Sequence, residues 1–301
     1  MSGQLKEIKT RIKSVGTTQQ ITKAMKLVSA SKLRRAQDRI IKMRPYALKL
    51  NEILANIAEA AEGDVNIEYA KQRPVAKVLF VILTSDRGLC GPFNNNAGKL
   101  VTESIEEKYP QQFAAGNVSI LYMGKKGFEL FKKNNQVNHI KEHINIFADL
   151  NFDNVSEVAE YVMNAFVNKE YDTVEVAYHR FKNQMVQIPA MEQFLPIQKL
   201  EAETTGQEEE KKIKPDFAFE PNKEKLIEEL APKILKTQFY RYLLENNASE
   251  HGARMTAMDN ATENAEELIK DLTVKYNRAR QAAITTQIVE IVSGAAALQG
   301  E

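Results

Sequence analysis

The sequence predicts an α/β domain carried by a stalk of two long helices, one contributed by each end of the chain. Three observations lead to this fold class. All nine prolines lie between Pro45 and Pro232, which leaves both terminal segments free of the residue that most disrupts helices. Apolar residues in both terminal segments follow the 3, 4 spacing of a coiled coil. The middle of the chain instead alternates short apolar runs with helical patterns, as parallel-sheet domains do.

The N-terminal segment predicts a helix whose apolar seam shifts once along its length. The first seam residues are spaced 3, 4, 3, and after a slip across residues 16–20 the apolar pattern resumes. The seam residues are Leu5, Ile8, Ile12 and Val15, followed by Ile21, Met25 and Val28. We expect Pro45 to kink this helix and residues 46–62 to continue it.

The middle segment predicts a small Rossmann-like α/β domain with a largely parallel sheet. Continuous apolar runs such as KVLFVIL, at residues 77–83, are typical of strands buried on both faces of a sheet. Helical patterns separate these runs, as connections between parallel strands require. We assign strands to residues 77–83, 118–123, 173–181 and 184–196, and helices to residues 94–108, 125–133 and 155–168.

The C-terminal segment predicts a second long helix that pairs with the first. Residues 233–293 would form a helix of about 90 Å at 1.5 Å per residue, and we expect the stop signal at Gly294. The two helices would run antiparallel, because the intervening domain returns the chain. The seam residues, spaced by 4 and 3, are Ala261, Ala265, Leu268 and Leu272, followed by Ile284, Ile288, Ile291, Ala295 and Leu298.

These elements divide the chain into a stalk and a domain. We predict that residues 1–62 and 217–301 form the antiparallel coiled-coil stalk, residues 74–198 the α/β domain, and the acidic stretch 199–216 a linker or solvent loop. Without an apolar run of 18–20 residues we expect no transmembrane helix, and the polar, basic N-terminus predicts no signal peptide. A single cysteine, Cys90, excludes an internal disulfide and suits a reducing cytosol.

Charge is distributed very unevenly along the chain. Residues 1–50 contain 13 lysines and arginines against two acids, Glu7 and Asp38, for a net charge of +11. Since the whole chain has a net charge of +1, the other 251 residues carry −10. A bias confined to one segment points to a partner, either an acidic protein surface or a nucleic acid. The lack of interleaved aromatic residues in this segment counts against the nucleic acid.

The residues themselves predict no catalytic centre, no cofactor site and no metal site. The strand, loop and helix at residues 78–108 resemble a phosphate-binding turn, but SDRGLCGPFNNN lacks the spacing of nucleotide-binding loops. No histidine lies near Cys90 in the sequence to activate it. His139 and His143 have helical metal-ligand spacing, but their polar neighbours indicate a solvated turn. Two alternatives stay open: a nucleotide-dependent enzyme built on the middle domain, and a nucleic-acid-binding coiled coil.

Three motifs together carry a specific resemblance to a known family. They are LKEIKTRIKSVGTTQQITKAMKLVSASKLRRAQ at residues 5–37, LTSDRGLCGPFNNN at residues 83–96, and EHGARMTAMDNATENAEELI at residues 250–269, continued by YNRARQAAITTQIVEIVSGAAAL at residues 276–298. In order and spacing they resemble the gamma subunit of the F-type ATP synthase, in its bacterial form. The match covers both ends and the loop between them, while residues 108–235 match loosely.

The resemblance implies a rotor shaft that is not itself an enzyme and that needs no cofactor. In the family, the terminal helices stand as an antiparallel coiled coil inside a ring of alternating alpha and beta subunits. The α/β domain lies at the foot of this stalk, and ion flow through the membrane sector turns the assembly. The implied partners are the alpha and beta subunits, the epsilon subunit and the c-ring, with delta only indirectly and no nucleic acid. The implied location is peripheral, on the cytoplasmic face of the bacterial plasma membrane.

The resemblance also implies which residues contact the alpha/beta ring. Met25, flanked by Lys23 and Lys26, matches a position that faces an acidic loop of the beta subunit. A second group matches positions that touch the beta subunit's catch loops, and a third lies on the segment that enters an apolar sleeve at the top of the ring. These groups are Arg254, Arg280, Gln281 and Thr285, and then Glu290, Ile291 and Val292. At Thr286–Gln287 the family often has Gln-Glu, so an acidic contact is absent here.

Overall fold

The computed structural model describes residues 2–60, 68–197 and 223–299, and these residues form six α-helices and five β-strands. The helices are α1 Ser2–Ala60, α2 Phe93–Lys108, α3 Pro110–Ala114, α4 Lys125–Phe131, α5 Phe152–Val167 and α6 Lys223–Gln299. The strands are β1 Val78–Leu83, β2 Val118–Met123, β3 Val137–Ile140, β4 Thr173–Phe181 and β5 Gln187–Leu195. Long helices at both ends and a sheet between them confirm the predicted fold class.

Two compact units divide the chain. The helical unit consists of Met1–Ala30 and Arg254–Glu301, and the sheet unit consists of Ser31–Ala253. The stretch 199–216, predicted as a linker, lies outside the described residues. The same is true of residues 61–62 and 217–222 of the predicted stalk.

The sheet unit is built on a five-stranded sheet with the strand order β3-β2-β1-β4-β5. The first four strands are parallel, and β5 runs antiparallel to β4. β1 lies at the centre, where Val78 is aligned with Val118 of β2 on one side and with Thr173 of β4 on the other. All six residues of β1 are buried, which accounts for its uninterrupted apolar sequence.

Helices cover both faces of this sheet. α5 and α6 pack on one face, where Phe166 and Phe239 join alternate residues of β1 and β4 in one core. α2 and α4 pack on the other face, around Phe80 of β1 and Tyr122 of β2. A parallel sheet covered on both faces is the expected layer arrangement of an α/β domain.

The predicted strands are confirmed where the apolar runs are long. Two short elements, β3 and α3, were not predicted. The expected ranges of β1, β2 and β4 hold to within one residue, and β5 begins three residues later than expected. β3 is not predicted, because its sequence VNHI contains one buried residue, Val137, and no apolar run. The single-turn helix α3 is likewise too short to produce a periodic pattern.

The helical unit consists of antiparallel segments of α1 and α6. The hydroxyl oxygens of Thr22 and Thr262 lie 2.8 Å apart, and Lys26 Nζ lies 2.5 Å from Asp259 Oδ1. A step of four residues forward along α1 therefore corresponds to a step of three residues backward along α6. These contacts confirm the antiparallel pairing expected from the sequence.

The seam of α1 continues without the predicted slip. The four apolar residues that begin it are half-buried as expected, but the next inward positions keep the 3, 4 spacing and are polar. These positions are Gln19, Thr22, Lys26 and Ser29. Ile21 and Val28, predicted to lie in the seam, are more than half exposed, and Met25 is half-buried. A search for apolar periodicity misses a polar seam, in which Thr22 and Lys26 find hydrogen-bond partners across the helix pair.

The seam of α6 is also displaced from its apolar pattern. Ala265 and Leu272 are buried as predicted, but Leu268 is exposed. Further along, Ala283 and Thr286 are the half-buried positions. The residues predicted for that part of the seam are exposed instead, namely Ile284, Ile288, Ile291 and Ala295, while the side chain of Leu298 lies outside the described part of the structure. An apolar stripe near the end of α6 therefore faces away from the seam.

Both long helices continue through a proline. Pro45 lies inside α1 and Pro232 inside α6, so α6 begins before the predicted residue 233 and also runs past Gly294. The continuation of α1 past Pro45 is as expected, whereas Pro232 does not mark the start of α6 as the predicted range 233–293 assumed. Ala231 and Ile234, which flank Pro232, are buried, and their packing offsets the helix hydrogen bond that proline removes.

A buried histidine on β4 gives the sheet unit a predictable response to acid. His179 is almost fully buried and stacks on Phe93 with ring centroids 4.1 Å apart. Burial lowers the pKa of His179 from 6.5 to about 4, because a charged imidazole is poorly solvated there. Between these values the unfolded chain binds a proton that the folded chain does not, so acid favours unfolding.

We therefore expect the free energy of unfolding to fall as the pH drops from 6.5 to 4, with His179 contributing roughly 3 kcal/mol. Urea titrations of the wild type and of His179→Leu across this range measure the effect. The variant, which cannot titrate at this position, should show a flatter dependence on pH. Parallel curves for the two proteins would contradict the assignment.

Candidate partner interface

Three predicted contact residues lie within one turn of α1 in the helical unit. Lys23 is exposed and Met25 is half-buried. Lys26 is paired with Asp259 of α6, and both side chains of this pair are partly exposed, so the pair contributes at most about 1 kcal/mol. Lys23 offers an exposed cation beside this pair, whereas the charge of Lys26 is partly neutralised inside the chain.

An apolar strip on α1 faces solvent beside these cations. Ile21, Leu27 and Val28 are each more than half exposed. Ile21 and Val28 share a face of α1, because they lie seven residues apart, and exposed aliphatic side chains grouped in this way indicate a contact surface. Sequence reasoning missed this strip because it placed Ile21 and Val28 in the seam. Continuing the 3, 4 spacing without a break from Val15 through the polar seam residues would have placed Ile21 and Val28 outside the seam.

The second predicted group lies near the end of α6, in the same unit. Arg280, Gln281 and Thr285 are exposed. The Thr285 hydroxyl donates to the backbone carbonyl of Gln281 at 3.0 Å, a bond within the helix that leaves the methyl group outward. These three side chains form a polar surface that overlaps the beginning of the apolar stripe along α6.

The apolar stripe at the end of α6 is the most exposed aliphatic surface among the predicted contacts. Ile291 is 70% exposed and Val292 60% exposed, and their neighbour Glu290 is exposed as well. Ile284 and Ile288 share a face with Ile291, because their spacing of four and three residues follows the helical repeat. Burying one such side chain contributes about 1.5–3 kcal/mol, so a partner that covers this stripe gains substantially.

Arg254 differs from the other predicted contact residues. It is 9% exposed, whereas Arg280 is exposed. The structure thus holds Arg254 largely within the chain and presents little of its surface to a partner. The sequence motif does not distinguish these two arginines.

In the loop after β1, polar side chains form hydrogen bonds with one another and with the loop backbone. The backbone N–H of Ser85 donates to Asn94 Oδ1 at 2.9 Å. The Asn94 amide donates in turn to Ser85 Oγ at 2.8 Å and to Cys90 Sγ at 3.2 Å. All three residues are buried. This network holds the loop in one conformation. The SDRGLCG motif therefore has a structural role.

A cavity of about 340 Å³ lies beside this loop, lined by residues of the loop, α2 and α4 that include Gly88 and Lys126. Among the described residues, no group of three or more His, Cys, Asp or Glu side chains is placed to hold a metal ion. None of the helices that the structure describes is long and apolar enough to cross a membrane.

The chain is similar to known proteins over nearly its whole length. A family model described as ATP synthase matches residues 4–298. The ATP synthase gamma chain of Cytophaga hutchinsonii is 53% identical over 294 residues, which cover 98% of each chain. The ATP synthase gamma chain of Flavobacterium psychrophilum is 48% identical over 300 residues, 98% of this chain and 99% of the relative.

Solved structures share the fold at lower identity. The rotor of the mitochondrial ATP synthase of Euglena gracilis contains a chain 21% identical, with a TM-score of 0.62, covering 94% of this chain and all of that one. The central stalk and c-ring structure of the mitochondrial ATP synthase of Tetrahymena thermophila contains a chain 23% identical, with a TM-score of 0.54, covering 80% of this chain and 99% of that one. With a family match from residue 4 to residue 298 and relatives near 50% identity, the chain belongs to the ATP synthase gamma-chain family.

Proposed function

We propose that this gamma chain acts on its partners through the apolar stripe at the end of α6 and the exposed strip on α1. As a gamma chain, the protein is the central rotor stalk of an F-type ATP synthase and is not itself catalytic. It couples ion flow to ATP synthesis or hydrolysis by rotation. The observation that carries the proposal is the exposure of Ile291 and Val292, at 70% and 60%, in a helix whose seam lies on another face.

The proposed partners are the alpha and beta subunits around the helical unit, with the epsilon subunit and the c-ring beside the sheet unit and delta only indirectly involved. The apolar stripe on α6 suits an apolar sleeve formed by the ring, because the sleeve would cover its aliphatic side chains. Glu290 is the one charged residue between Ile284 and Val292. The exposed Lys23 suits an acidic loop of the beta subunit. The location that follows is peripheral, on the cytoplasmic face of a bacterial plasma membrane.

Coupling by a shaft requires that each rotary position favours a different conformation of each catalytic subunit. A ligand shifts such an equilibrium only through its differential affinity for the two states. The helical unit presents unlike surfaces around its circumference: the aliphatic strip of α1, the cation Lys23, and the polar Arg280 and Gln281 of α6. A rotating surface of this kind meets each beta subunit with a different contact in turn.

The first test is isolation of the tagged chain from its host, with ATPase activity assayed on the eluate. Alpha and beta subunits that elute together with ATPase activity support the rotor function. A chain that elutes with nucleic acid, or one that hydrolyses ATP by itself, contradicts it. Binding to nucleic acid would also be recognised by its steep loss with increasing salt.

A single added cation tests the contact at Met25. Met25→Lys places a third cation beside Lys23 and Lys26, so attraction to an acidic loop should grow by about 1 kcal/mol in a partly solvated site. We expect ATP-driven proton pumping by the assembled enzyme to fall about fivefold relative to ATP hydrolysis, because a rotor held at one angle transmits rotation poorly. Pumping is measured by acidification of vesicles and hydrolysis by phosphate release.

Met25→Leu is the matched control, since it keeps the size of the side chain and adds no charge. It should leave the ratio of pumping to hydrolysis unchanged. If Met25→Lys behaves like Met25→Leu, Met25 does not face an acidic surface in the complex.

A further inference from the structure

We propose that a set of buried and partly buried polar contacts between α6 and strands β4 and β5, the α6 joint, transmits torque between the α/β domain and the stalk. The joint consists of Arg241, Asn246 and Ser249 of α6 together with Glu192 of β5 and the backbone of His179 of β4. The proposal rests on the rotor function above. It assigns to these side chains a positioning role in coupling, since they are bonded to strands of the same chain.

Two side chains of α6 take the place of a neighbouring strand beside β4. The pairing of β1 with β4 ends at Ala177, and His179 lies two residues beyond it, opposite Pro189 of β5. There the His179 N–H donates to Asn246 Oδ1 at 3.2 Å, and Ser249 Oγ donates to the His179 carbonyl at 3.0 Å. All the groups in these bonds are buried, so breaking either bond leaves an unpaired polar group away from water.

A partly buried carboxylate on β5 provides a third attachment. Glu192 accepts hydrogen bonds from Tyr178 Oη and Arg180 Nη2, each at 2.5 Å, and Arg241 Nη2 of α6 lies 3.4 Å from its other oxygen. Burial alone would raise the pKa of Glu192, but hydrogen bonds from Tyr178 and Arg180 hold it below its ordinary value. The carboxylate is therefore charged at neutral pH and draws Arg241 toward the sheet.

Aromatic packing fills the space around these contacts. The rings of Tyr242 and Tyr178 lie 4.7 Å apart, and those of Phe239 and Phe194 lie 5.3 Å apart. From Phe239 to Ser249 the attachment extends about 15 Å along α6 at 1.5 Å per residue. Packing of this kind resists separation of helix and sheet, while the directional hydrogen bonds resist rotation of α6 about its own axis.

The N-terminal helix contacts the same domain differently. Arg39 of α1 is exposed, and it donates from Nη1 to the Leu150 carbonyl at 3.0 Å. A long, solvated side chain yields under force, because it has many rotamers and water can replace its partner. Asn246 and Ser249 are short, buried and bonded to strand backbone. Ile40 and Met43 of α1 add apolar packing to the same core, but the buried hydrogen bonds to strand backbone come from α6. These directional bonds assign to α6 the role of the driven helix, with α1 carried along through its pairing with α6.

The test uses the complete ATP synthase, reconstituted in vesicles with the variant gamma chain. Asn246→Ala combined with Ser249→Ala removes both bonds to His179, so the joint should open at least tenfold more often. We expect the ratio of ATP-driven pumping to ATP hydrolysis to fall, and to fall further as the opposing proton gradient grows. A defect that merely reduced the amount of assembled enzyme would lower both activities equally at every gradient.

Thr237→Val is the matched control, because Thr237 is equally buried on α6 but its hydroxyl bonds to Lys233 of the same helix. It should keep the wild-type ratio at all gradients. If the double variant does not assemble, Ser249→Ala alone and Arg241→Gln provide milder tests of the same prediction. Variants that keep the wild-type ratio under every gradient overturn the joint. A wild-type chain that fails to restore pumping would instead overturn the rotor function.

Discussion

Gly124→Ala should destabilise the sheet unit by roughly 4 kcal/mol, among the largest effects of any single methyl group. Gly124 follows β2 and has a φ of +105°, a conformation that other residues rarely adopt. A Cβ built there would lie 2.2 Å from the carbonyl oxygen of Thr84. Thr84 cannot move away, because its N–H donates to Met123 and its hydroxyl accepts from the Gly127 N–H, both at 2.8 Å. Chemical denaturation of the purified chain measures the loss.

Gly116→Ala is the matched control for this prediction. Gly116 also has a positive φ, +70°, but no atom lies within 4 Å of a Cβ built there. Only the backbone strain then remains, at about 1 kcal/mol. If both variants lose the same stability, the contact with Thr84 is not what requires glycine at residue 124.

Ile291→Lys combined with Val292→Lys should reduce coupled ATP synthesis on the order of 100-fold while leaving the isolated chain folded. Each side chain would contribute about 1.5–3 kcal/mol on burial in an apolar sleeve, and lysine removes that contribution. The free chain already exposes both residues, at 70% and 60%, and exposed substitutions change stability by about 0.5 kcal/mol or less. Thermal unfolding of the free chain and ATP synthesis by the assembled enzyme separate these two effects.

Val274→Lys provides the comparison on the same helix. Val274 is 51% exposed, and it lies outside the segment predicted to enter the sleeve. We expect this variant to retain most of the synthesis activity. Equal losses from Val274→Lys and from the double variant would mean that added positive charge, rather than the end of α6, determines the effect.

Sequence patterns predicted the elements whose burial can be recognised from their own residues. β1 and β2 are buried on both faces, so nearly all their residues are apolar, Ser119 being the exception, and the runs were visible. β3 has one buried residue at the sheet edge and left no signal. The start of α6 could not be predicted, because Pro232 is tolerated through packing of its buried neighbours, and that packing is tertiary.

The candidate interface shows the same limit. The motifs predicted Lys23 and Ile291 as contact residues by resemblance, but apolar spacing alone assigned Ile291 and Ile21 to the seam. Hydrophobicity does not distinguish a residue covered by the partner helix from one covered by a partner subunit. The polar pair Thr22 and Thr262, which occupies the seam instead, is recognisable only when both helices are seen together.

The contact between Thr22 and Thr262 joins residues that are 240 positions apart, and this separation orders the events of synthesis. The strands of the α/β domain lie between residues 78 and 195, so that domain can begin to fold while the ribosome is still making α6. The part of α1 in the helical unit emerges first, and the segment of α6 that pairs with it is made last. The net charge of +11 over the first 50 residues then has a second use, because mutual repulsion keeps waiting helices from associating with one another.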